Sequence, residues 1–303
     1  MLRPGPAWAA LLAVWVLPVE AEAQGVDIRL GGTRGDGSGI LFRCPEGSPC
    51  VPNDRAFRAF VSELGQVFAP RLWSPAATSG RAGFRAGLAW SGSFVSDEAH
   101  WRLTERGQAE NRPTEFLHAM HLVVRKGLPW SFEVGAQLTW MLESDMVAPG
   151  LELRWAFREG IDHFPDLALR TAVSTLLGSR DLDLTAFTAD FVVSRDFAVA
   201  SVAELSPFLA WGIVFTAARS DVIDPTPGTF ASGTDGVLRP DRENDFVFDP
   251  VRFGDLVDQR LSLGVRARFY GIEWSVQGDV QMFADGQAFG PVGTVSTQLG
   301  LIH

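Results

Sequence analysis

Bulky apolar residues alternate with polar or small ones over most of the chain from Gly83 to the C-terminus. The alternation is clearest in residues 84–94, 131–140, 151–158, 260–269 and 272–282. A less regular form of it occurs in residues 115–126, 166–178, 183–194, 205–218 and 293–303. Because successive side chains of a β-strand point to opposite faces, a period of two predicts amphipathic strands. The sequence therefore predicts an all-β chain with about ten strands.

The lengths of these strands and of their connections indicate which face meets which solvent. Most of the predicted strands reach nine residues or more, whereas soluble strands cluster at about five or six and roughly 9 to 11 residues cross a bilayer. Short connections, at 125–130, 159–166, 194–197 and 270–271, alternate with longer ones, of which the longest are at 96–114 and 220–258. Trp and Phe lie toward strand ends, as interfacial girdles require. We therefore expect the apolar parity to face lipid and the polar parity to face a lumen.

Two hairpins test the assignment of faces. A two-residue loop at Tyr270-Gly271 pairs Phe269 with Ile272 and Arg268 with Glu273, which places both apolar residues on one face and an opposite-charge pair on the other. The hairpin near residues 126–129 leaves two alternatives. A three-residue loop turns His121 into the lumen, and a four-residue loop turns His118 inward instead.

The N-terminus predicts export. Arg3 precedes an apolar core from Ala7 to Val19, and Ala21-Glu22-Ala23 forms an A-x-A cleavage site. Residues 1–23 are therefore predicted to be a cleaved signal peptide. In an oxidising compartment, Cys44 and Cys50 are expected to form a disulfide.

The signal ending at Ala23, the alternating strands from Gly83 onward and the terminal strand from Thr294 together resemble the bacterial outer-membrane β-barrel class. The resemblance implies a transmembrane antiparallel up-and-down β-barrel in the outer membrane, with about 10 strands (8 or 12 as alternatives). It also implies contact with outer-membrane lipid, lipopolysaccharide and the barrel-assembly machinery. Leu299 and Leu301 fit the apolar alternation of the terminal strand in this class, whereas His303 stands where Phe or Trp is usual.

Residues 24–81 precede the barrel domain of residues 82–303 and contain one amphipathic helix. Asn53 or Asp54 can cap it, and Gly65 falls near its end. Its apolar stripe recurs at helical spacing and comprises Phe57, Phe60, Val61 and Leu64. The helix could enter the lumen as a plug or close the periplasmic mouth. Alternatively, it could belong to a loosely attached periplasmic segment or contact an envelope protein partner.

Charged residues on the inward parity form a predicted polar network in the lumen. Its members are Arg85, Glu133, Arg154, Arg158, Arg170, Asp190, Arg266, Arg268, Glu273 and Asp279. We expect these charges to pair with one another, because a narrow, low-dielectric lumen disfavours an unpaired charge. The alternative is a selective path for a small solute, in which the excess of arginine favours an anion.

Acidic residues and one histidine lie in the predicted outer connections, where they could activate a water molecule. They are Asp97, Glu98, His100, Glu143, Asp145, Asp181, Asp183, Asp221 and Asp224. Residues 241–245 also echo a calcium-binding loop, although Phe246 stands where the tight turn needs glycine. Acidic side chains near the outer leaflet could further bind lipopolysaccharide through divalent ions. The sequence nonetheless predicts neither a metal site nor a cofactor.

The expected function is therefore passive transport of small or hydrophobic solutes, or a structural role in the envelope, without catalysis. A rim enzyme, either a protease or a lipid-modifying enzyme, is one alternative. A soluble periplasmic β-barrel binding protein is the other. Nucleic acid is disfavoured as a partner, because the formal net charge is −10 and no basic stripe is present.

Overall fold

A computed structural model describes residues 25–33, 38–45, 48–96, 99–161, 164–199, 202–226, 230–232, 238–240, 242, 244–283 and 292–302. The predicted signal peptide lies outside these described residues. So do Asp97, Glu98 and His303, as well as Asp241 and Glu243 of the loop that echoes a calcium site.

Ten antiparallel strands form a single closed barrel. They are β1 (Phe84–Phe94), β2 (Phe116–Gly127), β3 (Phe132–Met141), β4 (Val147–Arg158), β5 (Asp166–Thr175), β6 (Leu182–Ser194), β7 (Ala203–Ser220), β8 (Val257–Phe269), β9 (Ile272–Phe283) and β10 (Gly293–Ile302). Each strand pairs with the next in sequence, and β10 closes the barrel against β1. Closure leaves no open sheet edge, which a membrane-spanning sheet requires. The predicted ten-stranded up-and-down barrel is confirmed.

The register agrees with the predicted faces at the Tyr270-Gly271 hairpin. Phe269 lies opposite Ile272, and Arg268 lies opposite Glu273. At the ambiguous hairpin, His121 pairs in register with Thr139 and is buried in the lumen, whereas His118 is exposed on the outer face.

The outer face of the barrel is apolar along its strands. Exposed side chains on this face include Leu88, Leu122, Leu138, Leu151, Leu209, Leu263, Trp274 and Leu299. Polar and charged residues of the opposite parity are buried inside. This inside-out arrangement is that of a membrane barrel and contradicts the alternative of a soluble periplasmic barrel. Within the part of the chain that the structure describes, no helix is both long and apolar enough to span a bilayer.

The two ends of the barrel differ. The connections after β2, β4, β6 and β8 lie at one end, together with the start of β1 and the end of β10, and we call this the short-connection end. The connections after β1, β3, β5, β7 and β9 lie at the opposite, long-connection end. Because outer-membrane barrels have short periplasmic turns and longer extracellular loops, we expect the long-connection end to be the outer one.

Short elements decorate the connections. A 3-10 helix (Ala99–Leu103) and α2 (Glu105–Glu110) follow β1, and a 3-10 turn (Pro129–Ser131) follows β2. The strand pair Phe230–Ser232 and Leu238–Pro240 lies between β7 and β8. A further strand, Phe197–Val199, pairs with the beginning of β7.

The chain that precedes β1 passes through the barrel from end to end. Its first part, the cap segment (described residues of 25–53), lies at the long-connection end and contains the paired strands Phe42–Arg43 and Val51–Pro52. Cys44 and Cys50 form the predicted disulfide in this segment. Helix α1 (Asp54–Phe68) follows, and then an extended stretch, the threaded segment (Ala69–Ser79), runs down to the short-connection end.

Candidate functional site

Helix α1 lies in the lumen, in the half nearer the long-connection end. Asn53 caps it by accepting a hydrogen bond from the backbone N–H of Ala56 at 3.2 Å. Phe57 stacks on Phe248 of the connection after β7, with ring centroids 4.5 Å apart. The predicted stripe, Phe57, Phe60, Val61 and Leu64, is fully buried in one apolar cluster with residues of the outer connections. The helix therefore lies away from the short-connection end, where the alternative of a helix that closes the periplasmic mouth would place it.

The opposite face of α1 is buried as well, and it meets the polar wall. Ser62 donates a hydrogen bond of 2.7 Å to Asp258 of β8. Gly65 lies in the last turn of the helix, near its end as the sequence predicted, and its carbonyl accepts from the backbone N–H of Ala69. A Cβ atom at Gly65 would collide with the side chain of Thr216 on β7, so glycine permits the close approach of helix and wall here.

Glu63 joins the helix to the connection that follows β1. Ser96 donates to it from its backbone N–H at 3.0 Å and from its hydroxyl at 2.7 Å, and the indole N–H of Trp101 donates at 2.8 Å. His100 Nε2 lies 3.2 Å from the same carboxylate. Burial by itself raises the pKa of Glu63, but the hydrogen bonds from His100 and Ser96 outweigh burial and hold the pKa below its ordinary value.

Arginines of the barrel wall hold the carbonyl groups of the threaded segment. Four of them donate to this backbone, and we call them the arginine ring: Arg125 to Leu72 O at 2.8 Å, Arg154 to Pro75 O at 2.8 Å, Arg170 to Arg71 O at 2.8 Å and Arg260 to Pro70 O at 3.1 Å. Charge-assisted hydrogen bonds of this kind are stronger than neutral ones. The wall therefore holds an extended peptide through its backbone.

The N–H groups of the same segment donate to polar side chains of the wall. Trp73 donates to Gln277 at 3.1 Å, and its carbonyl accepts from Ser275 at 3.2 Å. Three more backbone N–H groups of the segment donate to side chains: that of Ala76 to Ser194, that of Thr78 to Glu159 and that of Ser79 to Glu133. Trp73 has a φ of 61°, which is rare for a bulky residue. The surrounding wall contacts hold the chain in this bend.

The arginine ring is tied together by carboxylates. Glu152 lies between Arg125 and Arg170, and Asp190 lies between Arg170 and Arg260, each pair in ion-pair contact. Positive and negative charges thus alternate around the wall at the level where the peptide passes. Because each of these carboxylates has two arginine partners, removing Arg170 leaves neither Glu152 nor Asp190 without a counter-charge.

Most of the predicted lumen residues are brought into ion pairs. These pairs are Arg85 with Glu273, Arg154 with Glu133, Arg170 with Asp190, Arg266 and Arg268 with Glu204, and Asp279 with Arg71. The remaining predicted residue, Arg158, lies beyond a register shift near the end of β4. Its guanidinium stacks over the ring of Phe164, 4.3 Å from the centroid.

Sequence reasoning missed several members of the network. Arg125, Glu152 and Arg260 share the inward parity of the predicted residues, so the alternation could have identified them. Arg71 could not be found in this way, because it lies on the threaded segment, where no strand period exists. Its guanidinium lies 3.1 Å from Asp279 and 3.1 Å from Ser93 Oγ.

The predicted rim residues are spread over separate connections. Glu143 pairs with Arg106, Asp181 accepts from the backbone N–H of Leu30 at 2.9 Å, and Asp224 accepts from that of Thr226 at 2.8 Å. Asp145, Asp183 and Asp221 are exposed. His100 is buried against Glu63 and Phe60. Among the described residues, no group of three or more His, Cys, Asp or Glu side chains is arranged to hold a metal ion.

No protein-family model matches the chain, and no curated protein matches it. Among solved structures, it is similar to an outer-membrane channel from Pseudomonas putida F1, with 8% identity, coverage of 77% of this chain and 100% of that chain, and a TM-score of 0.36. It is also similar to the N-terminal β-barrel domain of Pseudomonas aeruginosa OprF (7% identity, 74% and 99% coverage, TM-score 0.33). A third similar structure is the outer membrane protease OmpT from Escherichia coli (9% identity, 73% and 96% coverage, TM-score 0.32).

Similarity at this level does not separate a channel from an enzyme. The closed barrel and its outward apolar face, however, are properties of this chain itself. They give it the architecture of a bacterial outer-membrane β-barrel.

Proposed function

We propose that the protein is a closed outer-membrane barrel with a structural role in the envelope, in which the chain's own N-terminal part occludes the lumen. One observation carries the proposal: helix α1 and the threaded segment fill the lumen in series, and the wall forms hydrogen bonds with both of them. The arginine ring surrounds the backbone where a solute would have to pass. A resting pore is not expected while the segment stays in place.

Passive transport is the second candidate, and it requires the segment to leave. The polar wall favours it, because the contacts of the threaded segment with the wall include many hydrogen bonds and ion pairs. Asp279 and Gln277 would line a water-filled path after release. Catalysis is not part of the proposal, since the rim residues engage backbone groups and arginines of separate connections.

Planar bilayer recordings test the occlusion. A site-specific protease sequence replacing the exposed residues 80–82 allows the threaded segment to be cut from β1 after the barrel has folded. The intact protein should carry no steady current, and steps should appear once the cut segment is released with denaturant. The matched control has the same cleavage sequence at Ile161, where cutting does not free the segment. A steady current through the intact protein would refute the occlusion.

A further inference from the structure

The direction of the N-terminal chain through the barrel has a topological consequence. The threaded segment ends at the short-connection end, where a turn closed by the hydrogen bond from Gly83 N to Gly80 O at 3.0 Å leads into β1. Gly127, at the end of β2, donates to Gly83 O at 3.0 Å and fixes this turn at the same end. Followed from β1 toward the N-terminus, the chain runs through the lumen to the long-connection end, where Gly25 lies.

The cap segment is built into the outer connections. Val26 N donates to Glu143 O at 3.1 Å, in the connection after β3. Arg29 N donates to Leu103 O at 2.9 Å, in the connection after β1. Leu30 N donates to Asp181 in the connection after β5. The ring of Phe42 packs against that of Phe246 in the connection after β7, with centroids 5.2 Å apart. The cap segment therefore touches four separate outer connections at once.

We infer that the cap segment is displayed on the cell surface and that it reaches the surface through the lumen of its own barrel. The short connections and the C-terminal strand end face the periplasm, so a segment bound to the opposite connections faces the exterior. The disulfide-closed loop at Cys44 and Cys50 then belongs to the exposed face, together with the connections after β1, β3, β5 and β7.

The lumen wall is suited to holding a peptide of this kind. The arginine ring contacts carbonyl oxygens, which every residue carries, and the wall acceptors contact backbone N–H groups. Recognition through the backbone tolerates many side chains. A helix with its side chains is about 10–12 Å wide, and the residues of α1 from Ala59 to Phe68 are buried against the wall and the outer connections. The segment therefore takes its place as the barrel closes around it.

Cysteine labelling on intact cells tests the inference. The only cysteines, Cys44 and Cys50, are paired, so a single new cysteine supplies the free thiol. The test variants are T33C and R55C, at exposed positions of the cap segment and of the first turn of α1. The reagent is a maleimide on a polyethylene glycol chain too large to pass outer-membrane channels. Heat-modifiable migration on gels verifies that each variant has folded.

Two matched controls define the sides of the membrane. V222C lies in the connection after β7, and I161C lies in the connection after β4; both positions are exposed. We expect T33C and R55C to react on intact cells together with V222C, while I161C reacts only after the membrane is disrupted. If T33C and R55C instead behave as I161C does, or if V222C is not reached on intact cells, the inference is overturned. The outcome does not depend on whether the lumen conducts, so it is distinguishable from failure of the proposed occlusion.

Discussion

Substituting Arg170 by glutamine should loosen the threaded segment while leaving the barrel closed. Arg170 donates to Arg71 O at 2.8 Å, and it also bridges Glu152 and Asp190, each at 2.7 Å. The two carboxylates keep Arg125 and Arg260 as partners in the variant. The main loss on the segment is therefore the charge-assisted hydrogen bond to Arg71 O, beside a longer one of 3.4 Å to Pro70 O, which Arg260 also contacts.

The expected magnitude follows from that bond. A hydrogen bond to a charged group contributes about 1.5–3 kcal/mol, and about 1.4 kcal/mol corresponds to a tenfold change in an equilibrium constant. The opening equilibrium of the threaded segment should thus rise by about 10- to 100-fold. Backbone N–H groups of Trp73, Ala76 and Thr78 are hydrogen-bonded only while the segment is seated, so their hydrogen exchange reports this opening.

Hydrogen exchange of residues 69–79 in detergent measures the change. The matched control is R268Q: the Arg268 side chain is 35% exposed and pairs with Glu204 at the short-connection end. An exposed pair contributes about 0–1 kcal/mol, so its loss should change exchange by no more than about fivefold. Equal exchange in R170Q and R268Q, with both barrels folded, would refute the idea that the arginine ring holds the peptide.

Three further perturbations address the helix and the lipid face. The pKa of Glu63 is lowered in the folded state, so its charged carboxylate stabilises the seated helix at pH values above the ordinary glutamate pKa. This stabilisation is lost as the pH falls through the lowered pKa. Acidification below about pH 4 should therefore reduce the protection of α1 in hydrogen exchange, and E63Q should show lower protection at neutral pH and a flatter pH profile. F60A should lower the denaturation free energy by about 3–5 kcal/mol in tryptophan-monitored unfolding, and the outward-facing F94A should lower it less. L263R, at a lipid-facing side chain that is 65% exposed, should destabilise the barrel in vesicles by about 2–4 kcal/mol; equal losses in L263R and L263A would contradict the lipid-facing assignment.

The parity of the strands could be predicted from sequence because it repeats along a regular backbone. Arg268 and Glu273 lie opposite each other as a two-residue loop requires, and this depends on local geometry alone. The register of the hairpin after β2 could not be predicted in this way. Its 3-10 turn at Pro129–Ser131 sets the register that places His121 inside, and no local sequence signal distinguished this turn from a longer loop.

The amino-acid sequence by itself determined the up-and-down barrel of about ten strands, the inward and outward faces, the disulfide and the existence of helix α1. Each of these depends on residues close together in the chain. Only the tertiary structure decided the position of α1 at the outer half of the lumen and the passage of residues 69–79 through the arginine ring. These contacts join residues far apart in sequence, such as Arg71 with Asp279 and Ser62 with Asp258. A buried charge acquires its partner only when the barrel closes around the segment, and hydrophobic periodicity carries no information about a chain that runs along the barrel axis.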